Sequence, residues 1–195
     1  MKPFVLGLTG GTGCGKSMAA DYLKGLGAHI VDADAISRYI MEPGMPALQK
    51  VADKFGNVLL PDGTLNRKKL ASIVFCDDAA LRSLNEITHT YIIQEIERKL
   101  AQSTAKFTII DAPLLFEAGL DRLCDACLCM LADDELRKAR IMARDGLTEG
   151  EAKARIAAQK EPKFYKTRCR FMIENNNGQK AVFDALDAIL KEIKE

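Results

Sequence analysis

The chain has 195 residues, 48% hydrophobic and 28% charged, with a formal net charge of +1, the make-up of a globular protein with one sizeable core. No apolar run approaches the ~20 residues of a membrane span, and MKPFVLGLTGG has neither the charge nor the cleavage pattern of a signal peptide, so no membrane association is expected. Six irregularly spaced cysteines are too few for a disulfide scaffold at this length, which points to a reducing, cytoplasmic setting.

Taken in chain order, FVLGL (4–8) reads as a strand, and KSMAADYLKGL (16–26) as a helix that follows it after a glycine-rich turn. HIVD (29–32) is a second short strand. Residues 33–105 hold several helical patterns and the turn LPDGTLN, far more than a simple crossover, and read as a helical insertion. FTIID (107–111) and ACLCML (126–131) are further strands. Two helices, near 133–145 and 148–161, are split by RDGLT, with Gly146 as the stop and Thr148-x-x-Glu151 as the capping signature of the restart. FMIEN (171–175) and a helix over 178–194 close the chain. Strands alternating with helices predict an α/β fold with a mostly parallel sheet.

The turn between the first strand and helix reads Gly10-Gly11-Thr12-Gly13-Cys14-Gly15-Lys16-Ser17, which matches the phosphate-binding pattern GxxxxGK[ST]. In such a loop the backbone N–H groups of Gly11, Thr12, Gly13, Cys14 and Gly15 turn towards phosphate oxygens. Glycine supplies the positive φ this requires and lets phosphate come close. Lys16 neutralises the terminal phosphates, the helix N-terminus adds its dipole, and the Ser17 hydroxyl ligates Mg²⁺. Asp111, closing FTIID, is the candidate acidic partner of that ion, or else a turn-forming residue at a strand end. No NKxD motif is present, which favours ATP over GTP. Cys14, a thiol beside a helix N-terminus and a lysine, is expected to have a lowered pKa and to react with alkylating agents, with ATP protecting it.

Asp32 and Asp34 stand in IVDADAISR at the end of the second strand. An extended chain would point both carboxylates the same way, and a kinase acting on a hydroxyl needs one to orient it and accept its proton. Asp34 is the favoured base, while an N-cap for the following helix is the alternative use of either. Arg137, Arg140 and Arg144 fall at i, i+3 and i+7 on one helical stripe, and Arg155 and Gln159 form a second stripe on the next helix. Between Arg137 and Arg170 there are eleven Lys/Arg against four Asp/Glu. This basic stretch is expected to be a lid closing over a triphosphate, or a solvated face. Cys124-x-x-Cys127-x-Cys129 lacks a second ligand pair at zinc spacing and reads as core thiols.

These motifs together resemble the dephospho-coenzyme A kinase family: GLTGGTGCGKS at 7–17, VDADAISR at 31–38, DGTLNRKKLASIVF at 62–75, LNEITH at 84–89, DAPLLFEAGL at 111–120, RIMARDGLTEGEAKARIAAQ at 140–159 and IENNNG at 173–178. The resemblance implies a P-loop kinase fold with a five-stranded parallel sheet flanked by helices. It divides the chain into a nucleotide-binding core (1–32, 106–132 and 168–195), a helical insertion for dephospho-CoA (33–105) and a helical lid (133–167). The implied reaction is ATP-dependent phosphorylation of the 3′-hydroxyl of the dephospho-CoA ribose, with Mg²⁺. Asp34, Lys16 and Arg140 would be catalytic, Arg144 would join the loop in binding ATP, and Asp32, Arg67, His89 and Leu115 would lie on the substrate side. His89 could instead be structural. Three positions depart from the family pattern: Thr90 stands where Pro is usual, Arg137 where Gln is common, and Cys169-Arg170 where Ala-Asp is usual. The expected partners are the two small-molecule substrates, with no nucleic acid, and the expected state is a monomer or small homo-oligomer. The alternatives are a P-loop kinase of the nucleoside-monophosphate type, and a nucleic-acid-acting protein that uses the basic, partly aromatic KFYKTRCRF (163–171).

Overall fold

The structure is a computed structural model in which residues 3–194 are described. The chain runs β1 (Phe4–Gly10), α1 (Lys16–Gly25), β2 (His29–Asp32), α2 (Ala33–Tyr39), α3 (Pro46–Phe55), α4 (Arg67–Val74), α5 (Asp78–Gln102), β3 (Phe107–Asp111), β4 (Ala126–Leu131), α6 (Asp134–Asp145), α7 (Glu149–Ala157), α8 (Pro162–Lys166), β5 (Phe171–Glu174) and α9 (Gln179–Lys194). Residues Asp32–Gln102 form one compact unit, and the chain before and after them forms the other.

The larger unit is built on a five-stranded parallel sheet in the order β2-β3-β1-β4-β5. β1 lies at its centre, paired with β3 through Leu8↔Asp111 and with β4 through Gly10↔Met130. A central strand of a sheet covered on both faces must be apolar throughout, and FVLGLTG is buried over six of its seven residues. On one face Leu6, Leu8, Leu128 and Met130 pack with Ala19, Ala20 and Leu23 of α1 and with Val182 and Leu186 of α9. The two alanines let α1 lie close to the sheet, and Leu23, four residues after Ala19, extends the same face. Because β3 lies on one side of β1 and β4 on the other, the strand order reverses beside the C-terminal end of β1, where open α/β sheets hold their ligands.

The smaller unit is helical. α2, α3 and α4 pack against the 25-residue α5, whose buried residues are Ile92 and Ile96. LPDGTLN forms a tight reversal closed by a Leu59↔Leu65 bridge, with Gly63 at φ 80°. Thr90, in place of the family's proline, lies inside α5. Its hydroxyl donates to the Glu86 carbonyl at 2.8 Å, and the helix runs on uninterrupted. The restart at Thr148 is also as read. The Thr148 hydroxyl accepts from the Glu151 N–H, the Glu151 carboxylate accepts from the Thr148 N–H, and Gly146 ends α6 in the left-handed region at φ 66°.

Gly10 is the tightest point of the sheet. Its φ is 146°, and a Cβ there would stand 2.5 Å from the Met130 carbonyl oxygen, a backbone atom that cannot move without breaking the β1–β4 pairing. Gly10→Ala is therefore expected to destabilise the fold by about 2 kcal/mol or more in urea unfolding. A loss below ~0.5 kcal/mol would show that the register tolerates a side chain here.

Candidate active site

From Gly10 the chain turns through Gly13 (φ 78°) and Gly15 (φ 93°) into α1. Gly15 is the N-cap of α1 and brings no side-chain acceptor, so no cap side chain claims the first-turn N–H groups of the helix. That is the positive end of the helix dipole. Lys16 is the first residue of α1, and its ammonium pairs with the carboxylate of Asp111 at the end of the neighbouring strand β3.

The carbonyl side of the loop is held from behind. Arg137 Nε donates to Thr12 O at 3.1 Å, Arg140 Nη1 to Gly13 O at 3.1 Å, and Asn175 Nδ2 to Cys14 O at 3.1 Å. Arg140 Nη2 also donates to Asn175 O at 3.0 Å, tying two of these donors together. A planar trans peptide carries its C=O and N–H on opposite sides. The three held carbonyls belong to the peptides whose N–H groups are those of Gly13, Cys14 and Gly15. The Cys14 N–H closes a turn on Gly11 O at 3.2 Å, while those of Gly13 and Gly15 point away from the clamping donors. This leaves the Gly13 and Gly15 N–H groups beside the start of α1, while Thr12 N–H, expected to face phosphate, is taken by Gln159.

The glycines serve this clamp as well as any ligand. A Cβ on Gly11 would lie 2.7 Å from both Arg137 Nη2 and Gln159 Oε1. On Gly13 it would meet the Arg137 backbone at 2.9 Å, and on Gly15 it would collide with the Asn175 amide. Room for an approaching phosphate was the expected reason for these glycines. The structure adds a second one, on the opposite side of the loop.

A dephospho-CoA kinase family model matches residues 4–181 of the chain. The chain belongs to the dephospho-CoA kinase family. The dephospho-CoA kinase of Anaeromyxobacter dehalogenans is 41% identical over 194 residues, covering 97% of this chain and 92% of that one. Among solved structures, the Thermus thermophilus protein TT1252 is 30% identical with a TM-score of 0.85, each chain covered to 98%. A dephospho-CoA kinase from Campylobacter jejuni is 29% identical with a TM-score of 0.69, with 97% of this chain and 96% of that one covered. The chain is thus a P-loop kinase in fold and in family.

In this kinase the arginine stripe is graded, from buried Arg137 through half-buried Arg140 to exposed Arg144. Arg137 is only 8% exposed, and it spends its N–H groups on Thr12 O, on Asp134 at 2.8 Å and on Gln159 at 2.5 Å. Like charge along the stripe is offset by loop carbonyls at Arg137 and Arg140 and by the carboxylates of Asp134 and Asp145. Arg144 is exposed, reaches the Thr12 hydroxyl at 3.3 Å and pairs with Asp145. Arg155 and Gln159 do not act as one stripe. Arg155 turns to Asp145, whereas Gln159 lies past the end of α7 and accepts from Thr12 N–H at 3.1 Å.

Asp32 and Asp34 also part company. The strand stops at Asp32, whose carboxylate caps α2 by accepting from Ala35 N–H at 2.9 Å, and Asp34 already lies in the first helical turn. The alternation of an extended chain therefore does not apply to them. Asp34 and Arg67 are exposed, the latter as the first residue of α4, and His89 is half-buried in α5, where burial lowers its pKa. Leu115 offers no surface to a substrate. It is 0% exposed and packs over Gly7, while its neighbour Leu114 is 63% exposed. Cys127 and Cys129 are buried on β4, as core thiols should be. Asn175 was given no role by sequence reasoning. Its only signal is its place in IENNNG, directly after the last strand.

Cys14 is not the reactive thiol its position in the loop predicts. It is 2% exposed and lies in the core between the sheet, α1 and α9, and burial raises its pKa against the pull of Arg137 and Arg140. A thiol so placed is protonated and unreachable. In the native protein at pH 8, maleimide should label the exposed Cys76 first and leave Cys14 unlabelled until urea unfolds the chain, as read by peptide mass mapping. Rapid native labelling of Cys14 would contradict this.

Proposed function

We propose that the loop of residues 10–17 binds the phosphates of ATP, and that the unit Asp32–Gln102 presents the 3′-hydroxyl of the dephospho-CoA ribose for phosphorylation. The family's reaction, ATP-dependent phosphorylation of dephospho-CoA in coenzyme A synthesis, sets the two substrates. The observation that carries the reading is the loop itself: Gly13 and Gly15 N–H groups, the uncapped start of α1 and Lys16 converge at the ligand-binding edge of the sheet.

In the proposed reaction the 3′-oxygen attacks the γ-phosphorus, and the bond from that phosphorus to the bridging β–γ oxygen breaks. ADP leaves, and the hydroxyl proton passes to the Asp34 carboxylate. Asp34 stands in an exposed first helical turn with no neighbour's bond to give up. Lys16 neutralises the terminal phosphates, having exchanged Asp111 for them, and Arg140 adds positive charge from its seat on Gly13 O. Arg144, exposed beside Thr12, completes the triphosphate's cationic surround, with the lid helices α6 and α7 already seated on the loop.

The oxygens of Ser17 and Asp111 are hard donors of the kind magnesium prefers, and they flank Lys16 in sequence and in space respectively, so the donor set fits that ion. When bound, Mg²⁺ offsets charge on the β- and γ-phosphate oxygens. Arg67 and His89 are the proposed contacts to the acceptor substrate. His89, its pKa lowered by burial, would serve there as a neutral hydrogen-bonding group at pH 7. Every cysteine in the described residues is free, which supports a reducing cytoplasmic location.

ATP consumption should be found with dephospho-CoA and not with AMP, shikimate or oligonucleotides. Asp34→Asn should lower kcat by about 100-fold or more while leaving the Kd for ATP within about twofold. Turnover with oligonucleotides alone would overturn the assignment, and an unchanged kcat in Asp34→Asn would remove the proposed base.

A further inference from the structure

Arg137 and Gln159 make a closed ring with one peptide of the loop. Thr12 N–H donates to Gln159 Oε1 at 3.1 Å, Arg137 Nη2 donates to the same oxygen at 2.5 Å, and Arg137 Nε donates to Thr12 O at 3.1 Å. The guanidinium is fixed from its third side by Asp134 at 2.8 Å, within the first turn of α6. Two segments far from the loop in sequence, α6 and the residue beyond α7, thus meet on both polar groups of a single residue. The loop is shaped to admit them, since Gly11 leaves 2.7 Å between a would-be Cβ and each of the two side chains.

A guanidinium this deeply buried is costly unless each of its donors is met, and here the acceptors are loop carbonyl, side-chain amide and carboxylate. Lysine could not take its place, because one ammonium cannot reach three acceptors in a planar fork. Gln159 is the matching half: a single oxygen receives both donors, so its removal leaves the Thr12 N–H and one arm of Arg137 without their acceptor.

We infer that Arg137 and Gln159 are a positioning pair that latches Thr12 and thereby holds the phosphate loop in its ATP-receiving shape. In this role the pair acts on ATP through the Thr12 backbone. Thr12 O belongs to the peptide that carries the Gly13 N–H, so the latch fixes the direction of that donor. Its effect falls on ATP and not on the acceptor. The inference rests on the reading that this loop binds ATP.

The test uses the full-length enzyme and measures ATP affinity by calorimetry, the KM of each substrate, and Tm. Gln159→Met keeps the side-chain length and removes the acceptor. Gln159 is half-buried at the end of a surface helix, so the fold should survive, with Tm shifted by less than about 2 °C. The Kd and KM for ATP should rise about tenfold while the KM for dephospho-CoA stays within about twofold. Arg137→Met, which removes the donors, should show the same selectivity, and the double variant should cost little more than either alone, because the two side chains form one ring. Unchanged ATP affinity in Gln159→Met would overturn the latch. So would an equal rise in both KM values with a fallen Tm, or strictly additive effects in the double variant. Direct ATP binding keeps the two readings apart: a wild-type enzyme that binds ATP without phosphorylating dephospho-CoA fails the functional assignment, while the latch is still decided by the Kd of the variants.

Discussion

Three consecutive carbonyls of the glycine-rich loop, at Thr12, Gly13 and Cys14, are each held by a side chain from outside it. A loop of glycines has many conformations of similar energy, and folding it into one that suits phosphate has an entropic cost of ~1–2 kcal/mol per residue. The donors from Arg137, Arg140 and Asn175 offset that cost before any nucleotide arrives. Two of them come from α6 and one from the residue after β5, so the site depends on elements that lie far from the loop in sequence. The same donors fix the sign of the site, because carbonyl oxygens turned outwards leave amide hydrogens turned inwards.

This constraint explains features that seemed to have other causes. Gly11, Gly13 and Gly15 match a phosphate-binding pattern, yet the atoms that a Cβ would strike are those of Arg137, Gln159 and Asn175. The loop has to be bare on two sides, for the ligand in front and for the clamp behind. Cys14 shows the same competition between surroundings. A helix N-terminus and two arginines favour a thiolate, but the side chain points into the core, and desolvation outweighs the cations.

Much of the fold was legible because its signals are local. The five strands stand out as β-branched or apolar runs, and the split between α6 and α7 as Gly146 and the Thr148–Glu151 box, because each of these depends on neighbours within a few residues. The loop was legible for the same reason. What the sequence hid were relations between distant segments. The 3.6-residue period placed Arg137, Arg140 and Arg144 on one face of a helix, but it could not say that two of the three, Arg137 and Arg140, meet carbonyl oxygens of the loop. Nor could it mark Asn175, whose partner lies 161 residues away. For Asp32 the N-cap alternative holds, while the shared direction of Asp32 and Asp34 fails at a boundary: the strand ends one residue before a helix begins, and a period of two gives way to a helical turn between them. In PLLFE, the question of which leucine faces outward depends on Gly7 lying beneath Leu115, a contact no local pattern reveals.

On the proposed reading the phosphate loop is preformed, held from its carbonyl side by groups that stay in place when ATP binds. The most direct measurement is a pair of crystal structures of the enzyme, without ligand and with a non-hydrolysable ATP analogue. Phosphate oxygens should lie at the N–H groups of Gly13 and Gly15, with Arg137, Arg140 and Asn175 still on the carbonyls of Thr12, Gly13 and Cys14. A complex in which Arg137 and Arg140 have left those carbonyls to bind the phosphates, with the loop rebuilt around the ligand, would contradict it.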